Sequence, residues 1–176
     1  MKRLLLHICC GVCSSWPVEK IKTDGYEVVG LFYNPNIQPH QEYLRRLEAI
    51  KKVSEVLGFR LIEGAYEEDK WLDRVRGLEN EPEGGKRCEV CFRVRLEAAL
   101  DWAKKENADF FATTLSVSPH KNVQLINSIG KSLSSDKFLE YDFKKADGFK
   151  KAIDFSKTHE IYRQNYCGCV FAKDKK

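Results

Sequence analysis

Leu4-Leu5-Leu6-His7-Ile8-Cys9-Cys10-Gly11-Val12-Cys13 decides how this chain is read. A short apolar run ends in two adjacent cysteines, a glycine and a third cysteine three residues beyond the second. Leu4 to Ile8 is expected to be a buried strand, because it is continuous, apolar and bounded by Gly11. Ser14, Ser15 and Pro17 then supply helix-start chemistry. Three thiols therefore sit where a strand hands over to a helix. In open α/β sheets ligands bind there, outside the carboxyl ends of the strands.

Outward from that turn, Ser15 to Lys22 predicts a short helix stopped near Gly25. Tyr26 to Tyr33, rich in β-branched and aromatic residues, predicts a second strand ending in the turn Asn34-Pro35-Asn36. Glu42 to Leu57 keeps apolar residues three or four apart and is closed by Gly58, as a helix requires. Phe59 to Ile62 predicts a third strand, and Trp71, Leu72 and Val75 another helix. Residues 77–87 hold Pro82, Gly84 and Gly85 without apolar periodicity, and are expected to be an internal loop. A helix over Cys91 to Lys105, a strand over Phe110 to Thr114, a helix over His120 to Leu133 and a fifth strand over Lys137 to Tyr141 follow. The stretch Asp154 to Cys169 is expected to return as a helix plus a tail. Strands alternating with helices through short connections imply βαβ units. The expected architecture is one doubly wound α/β domain over residues 1–176 with a mostly parallel sheet, its strand-end loops carrying the cysteines and a basic tail at 171–176.

The 176 residues, 43% hydrophobic and 32% charged, suffice for one domain with a real core. No apolar run approaches the roughly 20 residues of a membrane span, and the start lacks the features of a secretory signal. The expected location is the cytoplasm, with no membrane partner. In a reducing compartment, clustered thiols are more often metal ligands or redox catalysts than disulfides. A net charge of +4 permits a nucleic-acid partner without demanding one.

The seven cysteines fall into three tight groups: Cys9, Cys10 and Cys13; Cys88 and Cys91; Cys167 and Cys169. Residues three apart at a helix start share a face, where backbone N–H groups and the helix dipole favour the ligating thiolate. Cys167 and Cys169, in an extended segment, would also point to one side, with Gly168 allowing close backbone approach. Adjacent Cys9 and Cys10 are expected to diverge and serve different metals. Seven thiols exceed one tetrahedral site, and a four-thiolate iron–sulfur cluster leaves three over.

The motifs LLHICCGVC at 5–13, FYNPNIQPHQEYLRRLE at 32–48, EPEGGKRCEVCFRVRLE at 81–97, ATTLSVSPHKN at 112–122 and YRQNYCGC at 162–169 together resemble the cobalamin-independent, QueH-type epoxyqueuosine reductase family. The resemblance covers nearly the whole chain. It implies reduction of epoxyqueuosine in tRNA to queuosine, a HUP-type α/β fold, a [4Fe–4S] cluster and an adjacent mononuclear iron. Carried over, the ligands come from the seven cysteines. Spacing leaves two partitions open. One puts Cys10, Cys13, Cys88 and Cys91 on the cluster and Cys9, Cys167 and Cys169 on the iron; the other exchanges the Cys10/Cys13 and Cys167/Cys169 pairs. Electrons must come from an external donor, because nothing in the sequence binds flavin or nicotinamide. Two readings from other classes compete: a zinc-stabilised RNA-binding module, and a HUP-type cluster-bearing sulfur transferase. The latter would want a phosphate-binding loop where Cys9 to Ser14 stand.

Further candidates surround these groups. Cys9, Asp142 and Tyr162 are the candidate catalytic residues, Asp142 completing the iron site or relaying protons and the Tyr162 phenol donating one. Each also has a plain role, as a turn aspartate or ordinary packing. His120, just past a strand end, could reach the pocket, and Arg163 could hold a phosphate. Asn34, Asn36, Tyr43 and Arg46, around the end of the second strand, are candidates for hydrogen bonding the nucleoside. Lys144, Lys145, Lys150 and Lys151 alternate with Phe143 and Phe149 about a Gly turn, the composition of a loop that grips phosphates with stacking help. His7, inside the first strand, is expected to be a satisfied core histidine.

Overall fold

Leu4 and Leu6 point to one side of the first strand and Leu5 to the other, and all three are fully buried. In a pleated strand this alternation means that both faces of the sheet are covered. The computed structural model describes residues 1–173. Its sheet has β1 (Arg3–His7), β2 (Glu27–Phe32), β3 (Arg60–Glu63) and β4 (Phe110–Thr113), in the order β3-β2-β1-β4. Every pairing is parallel, with His7 opposite both Leu31 and Thr113. This is a mixed α/β fold with helices on both faces of a parallel sheet.

On one face Leu4, Leu6 and Ile8 pack against α1 (Ser15–Thr23), α2 (His40–Leu57) and α6 (Gly148–Thr158), through Val18, Ile21, Leu47, Ile50, Val53 and Ala152. On the other, Leu5, Val29 and Leu31 pack against α4 (Lys86–Lys105) and α5 (Val123–Leu133). A third, smaller cluster joins α3 (Glu68–Arg74) to α7 (Val170–Lys173) around Trp71, Val75, Cys91, Cys169 and Ala172. Among the described residues no helix is long and apolar enough to cross a membrane. The expected basic tail at 171–176 is in part α7, and its residues 174–176 lie outside the described residues.

Several expected boundaries move, each for a local reason. The fifth strand over Lys137 to Tyr141 reduces to one bridge between Phe111 and Phe138. Two backbone bonds hold it to β4, and then Tyr141 turns away to stack on Phe143 and bond Asp24. The helix expected from His120 starts at Val123, because the Asn122 side chain accepts from the Leu125 N–H and caps it there. α4 starts earlier than its periodicity showed, so Cys88 and Cys91 both lie on its first two turns. The basic stretch 143–151 is only partly a loop, since α6 begins at Gly148 and carries Phe149, Lys150 and Lys151.

Strand order places the site. The chain runs from β1 outward to β2 and β3, then crosses back to β4 on the other side of β1. The loops after β1 and β4 therefore part in opposite directions, and a crevice opens between them at the carboxyl edge.

Candidate metal centre

The loop after β1 enters that crevice. Because β1 ends at His7, Cys9 and Cys10 lie beyond the pleat and do not diverge as expected; their sulfurs are 3.8 Å apart. The sulfurs of Cys9, Cys10 and Cys13 all lie within 4.8 Å of one another. A 3₁₀ turn over Val12–Ser14 leads into α1 and aims the Cys13 backbone N–H at the Cys10 sulfur, 3.4 Å away. Just past β4, the Thr114 hydroxyl accepts from the Cys9 N–H at 3.2 Å and donates to the Cys9 sulfur at 3.4 Å. Gly11 packs against Ala49 of α2, where a Cβ would come within 3.0 Å.

The other four cysteines line an adjoining cavity. Cys88 and Cys91 reach it from α4, and Cys167 and Cys169 from the segment before α7, with Asn36, Trp71, Arg87, Arg95, His120 and Lys121 also on its walls. Cys167 borders a second cavity as well, together with Cys9, Cys13, His120, Lys121, Arg163 and Gln164. The structure thus gathers cysteines from three distant parts of the sequence into two neighbouring sets. Three thiols meet at the β1 loop and four line the α4 cavity.

Arg46 and Gly168 hold the last two cysteines in place. Buried Arg46 pairs with Glu42 at 2.7 Å and donates to the carbonyls of Tyr166 and Cys167 at 2.9 and 3.0 Å. Gly168 is not in an extended segment: its φ is +110°, and a Cβ would meet Ile37 at 2.8 Å. Glycine is the residue that accepts both the positive φ and the contact. Its carbonyl accepts from the Gln38 N–H at 2.8 Å.

The thiols share protons unevenly. Hydrogen bonds from Cys10 and then Cys13, with Lys121 helping, hold Cys9 well below the ordinary thiol value despite burial. Cys13 pulls Cys10 down, but Cys9 and burial outweigh it and push Cys10 up to about 12. Cys13 is raised by Cys10, Cys9 and burial. In the other set, the hydrogen bond from Cys169 draws Cys167 down to about 6, while Cys169 is raised by Cys167 and by burial. Cys9 in one set and Cys167 in the other are thereby drawn toward the thiolate, the form that ligates metal. Arg95, 4% exposed, bonds the Cys91 carbonyl at 3.1 Å, and among the described residues no carboxylate pairs with it. Its charge and that of Lys121 face the thiols.

A group of iron and sulfur fits these walls. All seven cysteines are unpaired. The buried polar atoms without a hydrogen-bond partner include Trp71 Nε1, Arg87 Nε and Asn36 Oδ1, on three residues that line the four-cysteine cavity. A dense, sulfur-bearing group would give the Trp71 and Arg87 donors an acceptor.

The remaining expectations divide. His120 lines both cavities from the rim, and Arg163 borders the second. Asn36 lines the first, but Asn34 is spent on the Ile8 carbonyl at 2.8 Å. Tyr43 is a core residue, stacked with Tyr66 and His40. Arg46 borders the second cavity, yet its donors go to Glu42 and the Tyr166 and Cys167 carbonyls. Asp142 makes a turn, accepting from the Lys144 N–H at 3.1 Å, and lines neither cavity. Tyr162 lies outside both as well, its hydroxyl on Glu42 at 2.8 Å. Lys144 reaches the Lys121 carbonyl, Lys150 pairs with Asp154 at 2.9 Å, Lys151 lies 3.7 Å over the Trp16 ring, and Lys145 is exposed. His7 is the core histidine expected, fully buried. Trp71, Arg95, Thr114, Lys121 and Gln164 also reach the site, and sequence pattern did not single them out as functional. Gln164, whose amide donates to the Cys10 sulfur at 2.8 Å, was legible only through its place three residues before Cys167.

Solved structures share this fold at low sequence identity. The U34-tRNA thiolase NcsA from Methanococcus maripaludis, solved with its [4Fe–4S] cluster, superposes with a TM-score of 0.61 at 15% identity, over 97% of this chain and 61% of that one. A predicted subunit of tRNA methyltransferase from Methanocaldococcus jannaschii gives 0.55 at 14%, over 88% and 74%. Curated relatives described as epoxyqueuosine reductase QueH are much nearer in sequence. The protein from Streptococcus pyogenes serotype M1 is 39% identical over 96% of this chain and 69% of its own length. That from Helicobacter pylori is 41% identical over 96% of this chain, which spans about half (49%) of it. That from Thermotoga maritima is 36% identical over 98% of this chain and 91% of its own. The family described as epoxyqueuosine reductase QueH matches residues 4–175, cysteine groups included, and the chain belongs to that family.

Proposed function

We propose that this chain reduces epoxyqueuosine in tRNA to queuosine, with a [4Fe–4S] cluster on Cys88, Cys91, Cys167 and Cys169 and an adjacent iron on Cys9, Cys10 and Cys13. The observation that carries this reading is the meeting of the two thiol sets at Cys167, which borders both cavities. Family membership supports the reaction and the oxidoreductase class. The strand order, with its crevice beside β1, supports a HUP-type arrangement. Seven unpaired thiols suit a reducing cytoplasm.

Converting an epoxide to an alkene takes two electrons and two protons, and the oxygen leaves as water. When bound, the iron and cluster supply a Lewis acid for that oxygen and a route for electrons from an external donor. The chain's own residues do the rest. Arg95 and Lys121 keep positive charge beside the thiolates. Thr114 and Gln164 hold Cys9 and Cys10 by hydrogen bonds to their sulfurs. His120, on the rim of both cavities, is the side chain placed to deliver a proton, a position that Tyr162 and Asp142 do not share. Phe149, exposed and bordering the second cavity, gives an entering base an apolar face.

Anaerobic purification with iron, acid-labile sulfide and zinc assays tests the reading, alongside turnover of epoxyqueuosine-containing tRNA with a chemical reductant. Brown protein holding more iron than one cluster, and forming the alkene product, is the expected result. Cys88→Ala should bleach it, while Cys13→Ala should keep most colour and lose turnover. Colourless zinc protein without turnover would overturn the reading.

A further inference from the structure

Trp71 is fully buried on α3; its indole Nε1–H has no acceptor in good geometry and bears on the sulfur of Cys91, whose pKa it lowers. A poorly met buried donor is unfavourable, and a buried tryptophan usually finds an acceptor. A phenylalanine would fill similar space without that cost. The ring cannot swing out to find water. It is packed against Phe171 of α7, centroids 6.1 Å apart, and clustered with Val75, Cys91, Cys169 and Ala172. It lines the cavity shared by Cys88, Cys91, Cys167 and Cys169, and is the one of the three tryptophans to do so. Asn36 Oδ1 lies on the same cavity but is itself unpartnered, so the two do not satisfy each other.

We propose that the Trp71 indole N–H donates a hydrogen bond to a sulfur of the group held by those four cysteines and thereby raises its reduction potential. This rests on the reading above. A donor aimed at cluster or thiolate sulfur stabilises the reduced state, which carries one more negative charge. Trp71 is a positioning residue: it touches no substrate and acts through the sulfur.

The test uses anaerobically loaded, full-length protein. Trp71→Phe keeps an aromatic ring and removes the donor. Its iron and sulfide content should match wild type, while an EPR-monitored redox titration should give a more negative midpoint potential. In unsubstituted protein grown on indole-¹⁵N tryptophan, the reduced cluster should show hyperfine coupling to one ¹⁵N by pulsed EPR. That second readout stands even if Trp71→Phe fails to fold, and mere packing would not produce it. A fully loaded wild type with no ¹⁵N coupling, or a loaded variant with unchanged potential, overturns the role of Trp71 and leaves the proposed reaction standing. A wild type that takes up no iron overturns both.

Discussion

His7 stands immediately before the thiol loop, with Nε2 3.1 Å from the Tyr33 carbonyl and Nδ1 2.9 Å from the Thr113 hydroxyl. A carbonyl only accepts, so Nε2 carries the proton and Nδ1 accepts from the threonine. Thr113 Oγ1 in turn accepts from the Leu115 N–H, which ties the ends of β1, β2 and β4 into one network. Both partners suit neutral imidazole, and burial, with Arg95 adding to it, lowers the pKa to about 4 from 6.5. The unfolded chain takes up a proton below about pH 6.5 while the folded one does not. The stability due to the neutral ring is therefore whole above that value and is lost as pH falls toward 4. The loss totals about 3 kcal/mol, from 1.36 kcal/mol per pKa unit. Urea unfolding between pH 7 and 4 should show this decline in wild type, and His7→Gln should flatten that part of the curve. An equally steep decline in the variant would show that other groups govern acid sensitivity.

At the scale of elements, α2 works as a clamp on the last cysteine segment. Glu42 and Arg46, one helical turn apart, are both buried, and Tyr162 closes the pair from outside. The guanidinium also donates, from its two terminal nitrogens, to the two carbonyls that lead into Cys167-Gly168-Cys169. Arg46→Met would strand the Glu42 carboxylate in the interior, at a cost of about 3–5 kcal/mol. Glu42→Gln combined with Arg46→Met should recover much of that loss in denaturant unfolding. It should not recover iron retention, because the carbonyls of the cysteine segment stay unheld. Full iron retention in the double variant would refute the clamp. The periodicity of α2 was plain in its sequence, but the direction taken by Arg46 was not. That depends on a segment 120 residues away, and local spacing carries no information about it. The failed fifth strand is similar: Lys137 to Tyr141 has strand-like residues, but the stacking of Tyr141 on Phe143 draws the edge away.

Across the whole molecule, the thiol groups were legible because each is compact in sequence, and the parallel sheet because strands and helices alternate. Which thiols meet was not legible, since it depends on strand order and on where β1 ends. The same reasoning bears on tRNA. Phe149, Arg163 and Lys121 border the second cavity, and Lys144 and Lys145 before α6, with Lys150 and Lys151 on its first turn, carry further positive charge nearby. A backbone held there would make affinity fall with salt, each phosphate contact adding about 0.7–0.9 to the slope of log affinity against log salt. Lys145 is exposed, whereas Lys150 is partly neutralised by Asp154. Lys145→Ala should therefore lower the slope by nearly one contact, and Lys150→Ala by less. Lys104→Ala, at the far end of α4, should leave it unchanged. Filter binding of tRNA over a potassium chloride series would measure all three. Equal effects at Lys104 and Lys145 would mean that charge alone, not this edge of the sheet, attracts the RNA.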